Sequence, residues 1–154
     1  MKRVGLWAVS IGVLVSVGLL TVAQGFADDN DGATKCTVKT LKGRYLFTAT
    51  GTLLPPAFGV KAPTPVSVAG YHIFNGDGTG NDFVTALVNG IDEQVPVPTA
   101  VTYTLNSDCT GTYTVGGAEH FDIFVSPNGD QLAAIATDPG FVLVNAPSRR
   151  VSPK

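Results

Sequence analysis

Short runs of β-branched and aromatic residues alternate along the chain with clusters of Gly, Asn, Asp and Pro. Runs of this kind, bounded by turn residues, are typical of β-strands. In the clearest run, residues 101–105, Val101, Tyr103 and Leu105 share one face and two threonines share the other. The pattern predicts eight strands, at residues 43–50, 66–74, 81–88, 99–105, 111–115, 119–125, 131–137 and 140–144.

The connections between the predicted strands are mostly short and rich in turn residues. Asn89-Gly90 is the strongest hairpin signal, and segments 75–78 (NGDG), 127–130 (PNGD) and 138–140 (DPG) act similarly. Parallel crossovers have no room in such connections, so the predicted sheet is antiparallel. The loop at residues 53–65 and the segment with Pro96 and Pro98 are expected at a rim or an edge, because proline cannot donate a ladder hydrogen bond.

Eight strands in hairpin order favour an up-and-down barrel over a Greek-key sandwich of two sheets. A sandwich needs long return connections, and residues 53–65 form the one long connection between the predicted strands. The predicted fold class is therefore all-β, as an eight-stranded antiparallel barrel. Composition agrees: 44% hydrophobic residues and 14% charged residues argue against a disordered chain or a coiled coil.

The first 27 residues have the layout of a secretory signal peptide. Lys2 and Arg3 precede an apolar run at residues 4–22, and small residues follow, with cleavage predicted after Ala27 or Gly25. An uncleaved membrane anchor is the alternative reading of the same run. A flexible leader is expected at residues 28–35, the barrel domain at 36–150 and a tail at 151–154. The predicted location is secreted or periplasmic, with membrane contact only through the signal before cleavage.

Charge and cysteine content narrow the functional classes. The 12 acidic residues outnumber the 10 basic ones, and no basic stripe interleaved with aromatics is present, so nucleic acid is not an expected partner. Two cysteines in an exported chain predict one disulfide, between Cys36 and Cys109. A catalytic thiol is the alternative, but neither cysteine neighbours a histidine and Cys109 lies in a turn sequence.

Three segments, 36–47 (CTVKTLKGRYLF), 75–80 (NGDGTG) and 108–113 (DCTGTY), resemble a group of small exported bacterial proteins of unassigned function. That resemblance implies export and a compact β fold, and it carries no activity. Gly43-Arg44-Tyr45, with Arg149 and Arg150 near the end of the domain, also resembles the calycin pattern, in which a Gly-x-Trp and a late Arg pack together at one barrel end. Here Tyr45 stands at the Trp position. The size and strand count are similar to those of allene oxide cyclase-like and dirigent-like barrels, whose pockets guide cyclisations.

Segment 75–82 imitates the start of a calcium-binding loop, with oxygen-bearing side chains at alternate positions. The twelfth position of that loop is Ala86, where a bidentate Glu is needed, so a glycine-rich hairpin turn is predicted instead. The chain has no Gly-x-Ser-x-Gly, Walker-type loop, His-Glu-x-x-His or Cys-x-x-Cys motif. Neither a metal site nor a cofactor is therefore expected.

His120 and Asp122 are two residues apart on a predicted strand and share one face. If that face points into the barrel, the pair could act in acid/base chemistry. Residues 121, 123 and 125 form the more apolar face of this strand, however, which favours an outward-facing polar stripe at His120 and Asp122. Tyr103 is a further candidate proton donor, and His72, which alternates with Tyr71 and Ile73, has no clear direction.

The tyrosines and phenylalanines either line a ligand cavity or fill the core. The candidate ligand contacts are Tyr45, Tyr71, Tyr113 and Phe58, the last on a loop that could act as a lid. The leading hypothesis is a barrel that binds a small apolar or aromatic ligand in its mouth. The alternatives are a cyclase or isomerase using His120, Asp122 or Tyr103, and an envelope or extracellular interaction protein without enzymatic activity. The oligomeric state is left open.

Overall fold

The structure is a computed structural model, and it describes residues 35–93, 95 and 97–152. The predicted signal peptide and most of the predicted leader lie outside the described residues. Within the described part of the chain, no helix has the length and apolar character needed to cross a membrane.

The described residues form ten strands and two short 3-10 helices. The helices are Val38–Leu41 and Ala57–Gly59. The strands are β1 (Gly43–Leu53), β2 (Thr64–Phe74), β3 (Thr79–Val88), β4 (Ile91–Glu93), β5 (Thr99–Leu105), β6 (Thr110–Val115), β7 (Glu119–Val125), β8 (Gln131–Ala136), β9 (Phe141–Asn145) and β10 (Ser148–Arg150). The eight predicted strands are all present, while β4 and β10 were not predicted.

Antiparallel pairing closes the sheet into a barrel. Consecutive strands pair from β1 to β9, except that β3 pairs with β5 and the short β4 pairs only with β3. β1 then pairs with β9 along one half, at Leu53 and Phe141, and with β10 along the other, at Tyr45 and Arg150. Because β9 and β10 share the eighth position around the barrel, the predicted closed eight-stranded antiparallel barrel is confirmed and the two-sheet alternative is wrong.

The alternation of side chains sets which residues fill the barrel. On β7, Phe121, Ile123 and Val125 are buried, whereas His120 and Asp122 are exposed. Neighbouring strands follow the same alternation, with Val101 and Tyr103 of β5 and Tyr113 of β6 buried, among other side chains. A strand pattern with a period of two therefore separates an apolar interior from a polar exterior.

One end of the barrel is covered by the first 3-10 helix, whose Leu41 is fully buried. The predicted disulfide between Cys36 and Cys109 is confirmed, and it fastens the chain before this helix to the turn between β5 and β6. Tyr103 adds a polar connection, since its hydroxyl donates to the Val38 carbonyl (2.9 Å) and accepts from the Gly76 N–H (3.0 Å). We call this end the closed end.

A buried arginine completes the closed end. Arg150 Nη2 donates to the Tyr45 hydroxyl (2.7 Å), the Thr40 carbonyl (2.6 Å) and the Gly129 carbonyl (2.5 Å). Gly129 has a φ of 70°, and a Cβ there would collide with the Thr40 carbonyl, so a side chain at this position would break the arrangement. Of the two late arginines, Arg150 contacts the aromatic residue of the first strand, Tyr45, whereas Arg149 is exposed.

Candidate functional site

The opposite end of the barrel contains a cavity of about 650 Å³. Its lining includes Leu53 at the end of β1, Val88 at the end of β3, Thr99 at the start of β5 and Phe141 at the start of β9. In an antiparallel barrel these positions lie at the same end, away from the disulfide and the first 3-10 helix. We call this end the open end.

The walls of the cavity are mainly apolar. Its inward-facing aliphatic and aromatic side chains come from most of the strands around the barrel: Phe47, Val66, Val68, Val84, Ala86, Val88, Val115, Phe121, Phe141 and Leu143. Phe58 and Val60, from the loop between β1 and β2, also line it. The Phe58 ring is 56% exposed and meets the Phe141 ring edge to face, with centroids 5.1 Å apart.

Three buried polar side chains, His72, Asp82 and Tyr113, form a hydrogen-bonded cluster on the cavity wall. All three line the cavity and are at least 95% buried as residues. His72 Nδ1 lies 2.7 Å from Asp82 Oδ1, and the Tyr113 hydroxyl donates to Asp82 Oδ2. The same hydroxyl lies 3.0 Å from His72 Nδ1. We call these three residues the interior cluster.

The chemistry of the interior cluster assigns its protons. A carboxylate only accepts, so His72 Nδ1 carries the proton that it shares with Asp82. Burial, followed by the negative charge of Asp82, raises the pKa of Tyr113 well above its ordinary value. Tyr113 therefore stays protonated and donates. With Nδ1 protonated, a neutral His72 ring has the lone pair on Nε2, which has no hydrogen-bond partner among the described residues.

The β2–β3 hairpin explains how two of these residues meet. Segment 75–78 forms its turn, and Phe74 pairs with Gly80, so His72 is the direct cross-strand partner of Asp82 on the same face. The Phe47 ring stacks on the His72 ring at a centroid distance of 4.0 Å and an angle of 11°. The imidazole is thus held at one ring face and at Nδ1.

Further polar groups line the cavity nearer to the open end. Glu119, at the start of β7, has a pKa raised by burial and then by the charges of Asp138 and Asp82. Asn145 of β9 has a buried Oδ1 atom without a hydrogen-bond partner in the described part of the chain. Glu93 also lines the cavity, and no Lys or Arg does so among the described residues. Its ionisable lining is therefore mainly acidic.

The predicted ligand contacts divide between the cavity and other places. Tyr113 and Phe58 line the cavity. Tyr45 lies at the closed end with its hydroxyl bound to Arg150, and Tyr71 lies outside the cavity lining, stacked on Phe83 with centroids 4.9 Å apart.

The predicted catalytic candidates do not meet in the cavity. His120 and Asp122 lie on the outer face of β7, because Phe121 and Ile123 occupy the inner face. His120 Nδ1 contacts Asp138 Oδ1 at 2.9 Å. The condition for an interior acid/base pair at these positions is therefore not met. Tyr103 uses its hydroxyl in the closed end and is absent from the cavity lining.

Sequence reasoning did not single out Asp82, and it left His72 without a direction. The missing signal was the hairpin register: Phe74 pairs with Gly80, which places residue 72 opposite residue 82, whereas a turn of residues 75–78 alone would place residue 72 opposite residue 81. Glu119 was also missed, although it shares its strand face with Phe121. The segment that imitates a calcium loop forms the β2–β3 turn, with Asp77 accepting from the Thr79 N–H (2.9 Å). The described residues contain no cluster of three or more His, Cys, Asp or Glu side chains suited to a metal ion.

Comparison with protein families, curated proteins and solved structures gave no match for this chain.

Proposed function

We propose that this protein binds a small, mostly apolar ligand in the open end of its barrel. The observation that carries the proposal is the cavity of about 650 Å³, apolar along most of its wall and polar at the interior cluster. Ligand sites in proteins have volumes of roughly 300–1,000 Å³ and combine apolar walls with a few polar groups that orient the ligand. A cavity filled by Tyr and Phe side chains would have favoured a protein that acts only through its surface.

The energetics of binding follow from the lining. Apolar ligand surface that leaves water contributes roughly 25 cal/mol per Å². The interior cluster and Asn145 offer hydrogen bonds to a polar group at one end of the ligand. We therefore expect the ligand to have an apolar or aromatic body with a single polar group.

The charge of the lining selects among such ligands. Asp82, Glu119 and Glu93 are acidic, and the described lining contributes no Lys or Arg. A ligand carboxylate would enter an environment without a cationic partner, which is unfavourable for a buried anion. The proposed ligand is accordingly uncharged or cationic.

We also propose that the protein is exported and is related to the calycin-like barrels. The Cys36–Cys109 disulfide supports an oxidising compartment. The packing of Arg150 on Tyr45 at the closed end supports the calycin relation, because a late arginine there contacts the aromatic residue of the first strand. The cyclase-like relation is supported by the eight strand positions of the closed barrel.

The experiment uses N-phenyl-1-naphthylamine, an uncharged aromatic probe whose fluorescence rises in apolar sites, with the full chain. We expect saturable binding that Ala86→Trp abolishes, because Ala86 lines the cavity. Ala133→Trp is the matched control, since Ala133 is exposed on β8. Equal loss in both variants, or no saturable binding by the wild type, would contradict the proposal and favour an interaction protein.

Competition with ligands that share one chain length tests the charge argument. Decanol and decylamine should displace the probe, and decanoate should be weaker by about tenfold or more, because its carboxylate has no cationic partner in the described lining. Preferential binding of decanoate would overturn the proposed charge preference while leaving the binding function intact.

A further inference from the structure

We propose that the cavity is the active site of an enzyme in which His72 removes a proton from a neutral, mostly apolar substrate. Its substrate class is a small molecule with an acidic C–H beside an electron-withdrawing group such as a carbonyl. His72 is the catalytic base through Nε2, and Asp82 and Tyr113 are positioning residues. The inference rests on the proposed binding function and assigns the chemistry of the same site.

Two contacts fix the orientation of the His72 ring. Asp82 accepts from Nδ1, and the Phe47 ring covers one face of the imidazole. These two contacts leave Nε2 as the nitrogen available for a reaction. His72 lines the cavity, and its Nε2 is unpartnered in the described part of the chain. A base must reach the proton that it removes, and this geometry offers a fixed lone pair on an apolar wall.

Asp82 and Tyr113 stabilise the protonated form of the base. When Nε2 takes a proton, the ring becomes an imidazolium, and the Asp82 carboxylate at 2.7 Å stabilises its positive charge. Tyr113 donates to the other oxygen of Asp82 and so fixes the direction of the carboxylate. Carboxylates that orient a catalytic imidazole in this way are general in acid/base catalysis.

The electrons of the broken C–H bond remain in the substrate. The substrate C–H bond breaks, an Nε2–H bond forms, and the electron pair makes a C=C bond while the carbonyl oxygen becomes an enolate oxygen. Asn145 lines the same cavity, and its side-chain amide N–H can donate a hydrogen bond to that oxygen. Return of the proton from Nε2 to a different carbon gives an isomer and restores the base, so atoms and charge balance without an oxidant or reductant.

The test uses 5-nitrobenzisoxazole, a neutral aromatic probe of carbon-proton abstraction. A base takes its ring C–H proton, the N–O bond breaks, and the electron pair leaves on oxygen as the coloured 2-cyano-4-nitrophenolate. We expect saturable turnover by the full-length protein. His72→Gln should lower kcat by about a hundredfold or more, which is typical for the loss of a general base.

The chain supplies a matched control. His120 is hydrogen-bonded to Asp138 through Nδ1, as His72 is to Asp82, but it lies outside the barrel. His120→Gln should therefore leave turnover unchanged. Asp82→Asn should lower kcat with little change in KM, because the base loses its orientation while the apolar walls remain. A purely structural role of Asp82 would instead lower the folded fraction and leave kcat per folded molecule unchanged, which would overturn its positioning role.

Two measurements separate this inference from the binding proposal. Displacement of N-phenyl-1-naphthylamine by 5-nitrobenzisoxazole reports binding alone. If 5-nitrobenzisoxazole displaces the probe but the wild type and His72→Gln turn it over at the same rate, the catalytic inference is overturned and the binding function stands. Failure of 5-nitrobenzisoxazole to displace a bound probe would overturn the catalytic inference and leave the binding function standing, whereas absence of saturable probe binding would overturn both. If His72→Gln does not fold, the ¹⁵N chemical shifts of the wild-type histidines decide: a protonated Nε2 on neutral His72 would overturn the inference, and an unprotonated one would support it.

Discussion

His72 and Asp82 face each other as direct partners across the β2–β3 hairpin, with Nδ1 and Oδ1 2.7 Å apart in the barrel interior. His120 and Asp138 repeat the contact at 2.9 Å on the outside, where their side chains are 53% and 28% exposed. The same chemical pair thus occurs once buried and once in water. The two pairs differ in burial, and burial determines how much each pair contributes to the stability of the fold.

Asp82→Asn should destabilise the protein more than Asp138→Asn. Asp82 accepts from both His72 and Tyr113, and an asparagine has one acceptor oxygen for two buried donors. Leaving a buried donor unpaired costs about 1–3 kcal/mol, whereas an exposed ion pair contributes less than about 1 kcal/mol. Urea unfolding of both variants measures the difference. Equal losses would show that the interior cluster does not stabilise the barrel.

Glu119→Gln should change how stability depends on pH. The pKa of Glu119 is raised above the ordinary 4.5, so the folded protein holds this proton over a range in which the unfolded chain has released it. The contribution of Glu119 to the free energy of unfolding is therefore fully present below about pH 4.5. It is lost as the pH rises through the raised pKa. We expect the variant to lack this loss and to gain stability relative to the wild type toward neutral pH.

The measurement for Glu119 is chemical unfolding at a series of pH values from acid to neutral. Glu93→Gln, at the exposed end of β4, controls for the loss of one negative charge. A difference between wild type and Glu119→Gln that is constant over this range would contradict the raised pKa.

Arg150→Lys should destabilise the closed end and lower the free energy of unfolding. A lysine cannot reproduce the set of contacts that the guanidinium makes with Tyr45, Thr40 and Gly129. We expect a loss of about 2–4 kcal/mol, since hydrogen bonds to charged groups are worth roughly 1.5–3 kcal/mol each and the loss is not additive. Arg149→Lys, at the exposed neighbour, should change the free energy of unfolding by less than about 0.5 kcal/mol. Thermal unfolding of the two variants checks the contrast.

Reduction of the disulfide should lower the free energy of unfolding of the barrel. Cys36 and Cys109 are 73 residues apart in sequence, and a cross-link of that length contributes about 4 kcal/mol in the chain-entropy model. Unfolding with and without a thiol reductant gives the value. Probe affinity of the reduced protein that is still folded should not change, because the cavity lies at the open end. A fall in affinity without unfolding would show that the two ends are coupled.

Local sequence patterns were sufficient for much of the fold. Alternation at residues 119–125 favoured Phe121 inward and His120 outward, and Asn89-Gly90 was identified as a hairpin turn, although the strand that follows it is the unpredicted β4. β4 and β10 have three residues each, too few to show alternation. The site was harder, because His72 has apolar neighbours on both sides and its face depends on register rather than on composition.

Contacts across the barrel were beyond sequence reasoning. Tyr113 meets His72 from 41 residues away, through the closure of the sheet rather than through any local period. The cavity likewise results from how side chains of many strands fill the interior at one end and leave space at the other. Neither property can be read from one strand at a time.

The pairing of β1 with strands near the end of the barrel domain affects the order of folding. One edge of β1 pairs with β2, the next strand in the chain. Among the described strands, the other edge pairs only with β9 and β10, so it stays unpaired until residues 141–150 have been made and have folded. Until those residues are in place, an eleven-residue strand exposes unpaired N–H and C=O groups that another molecule could pair with. Long-range closure of this kind also slows folding. The newly made protein is therefore most prone to aggregation just before its eighth strand position is filled.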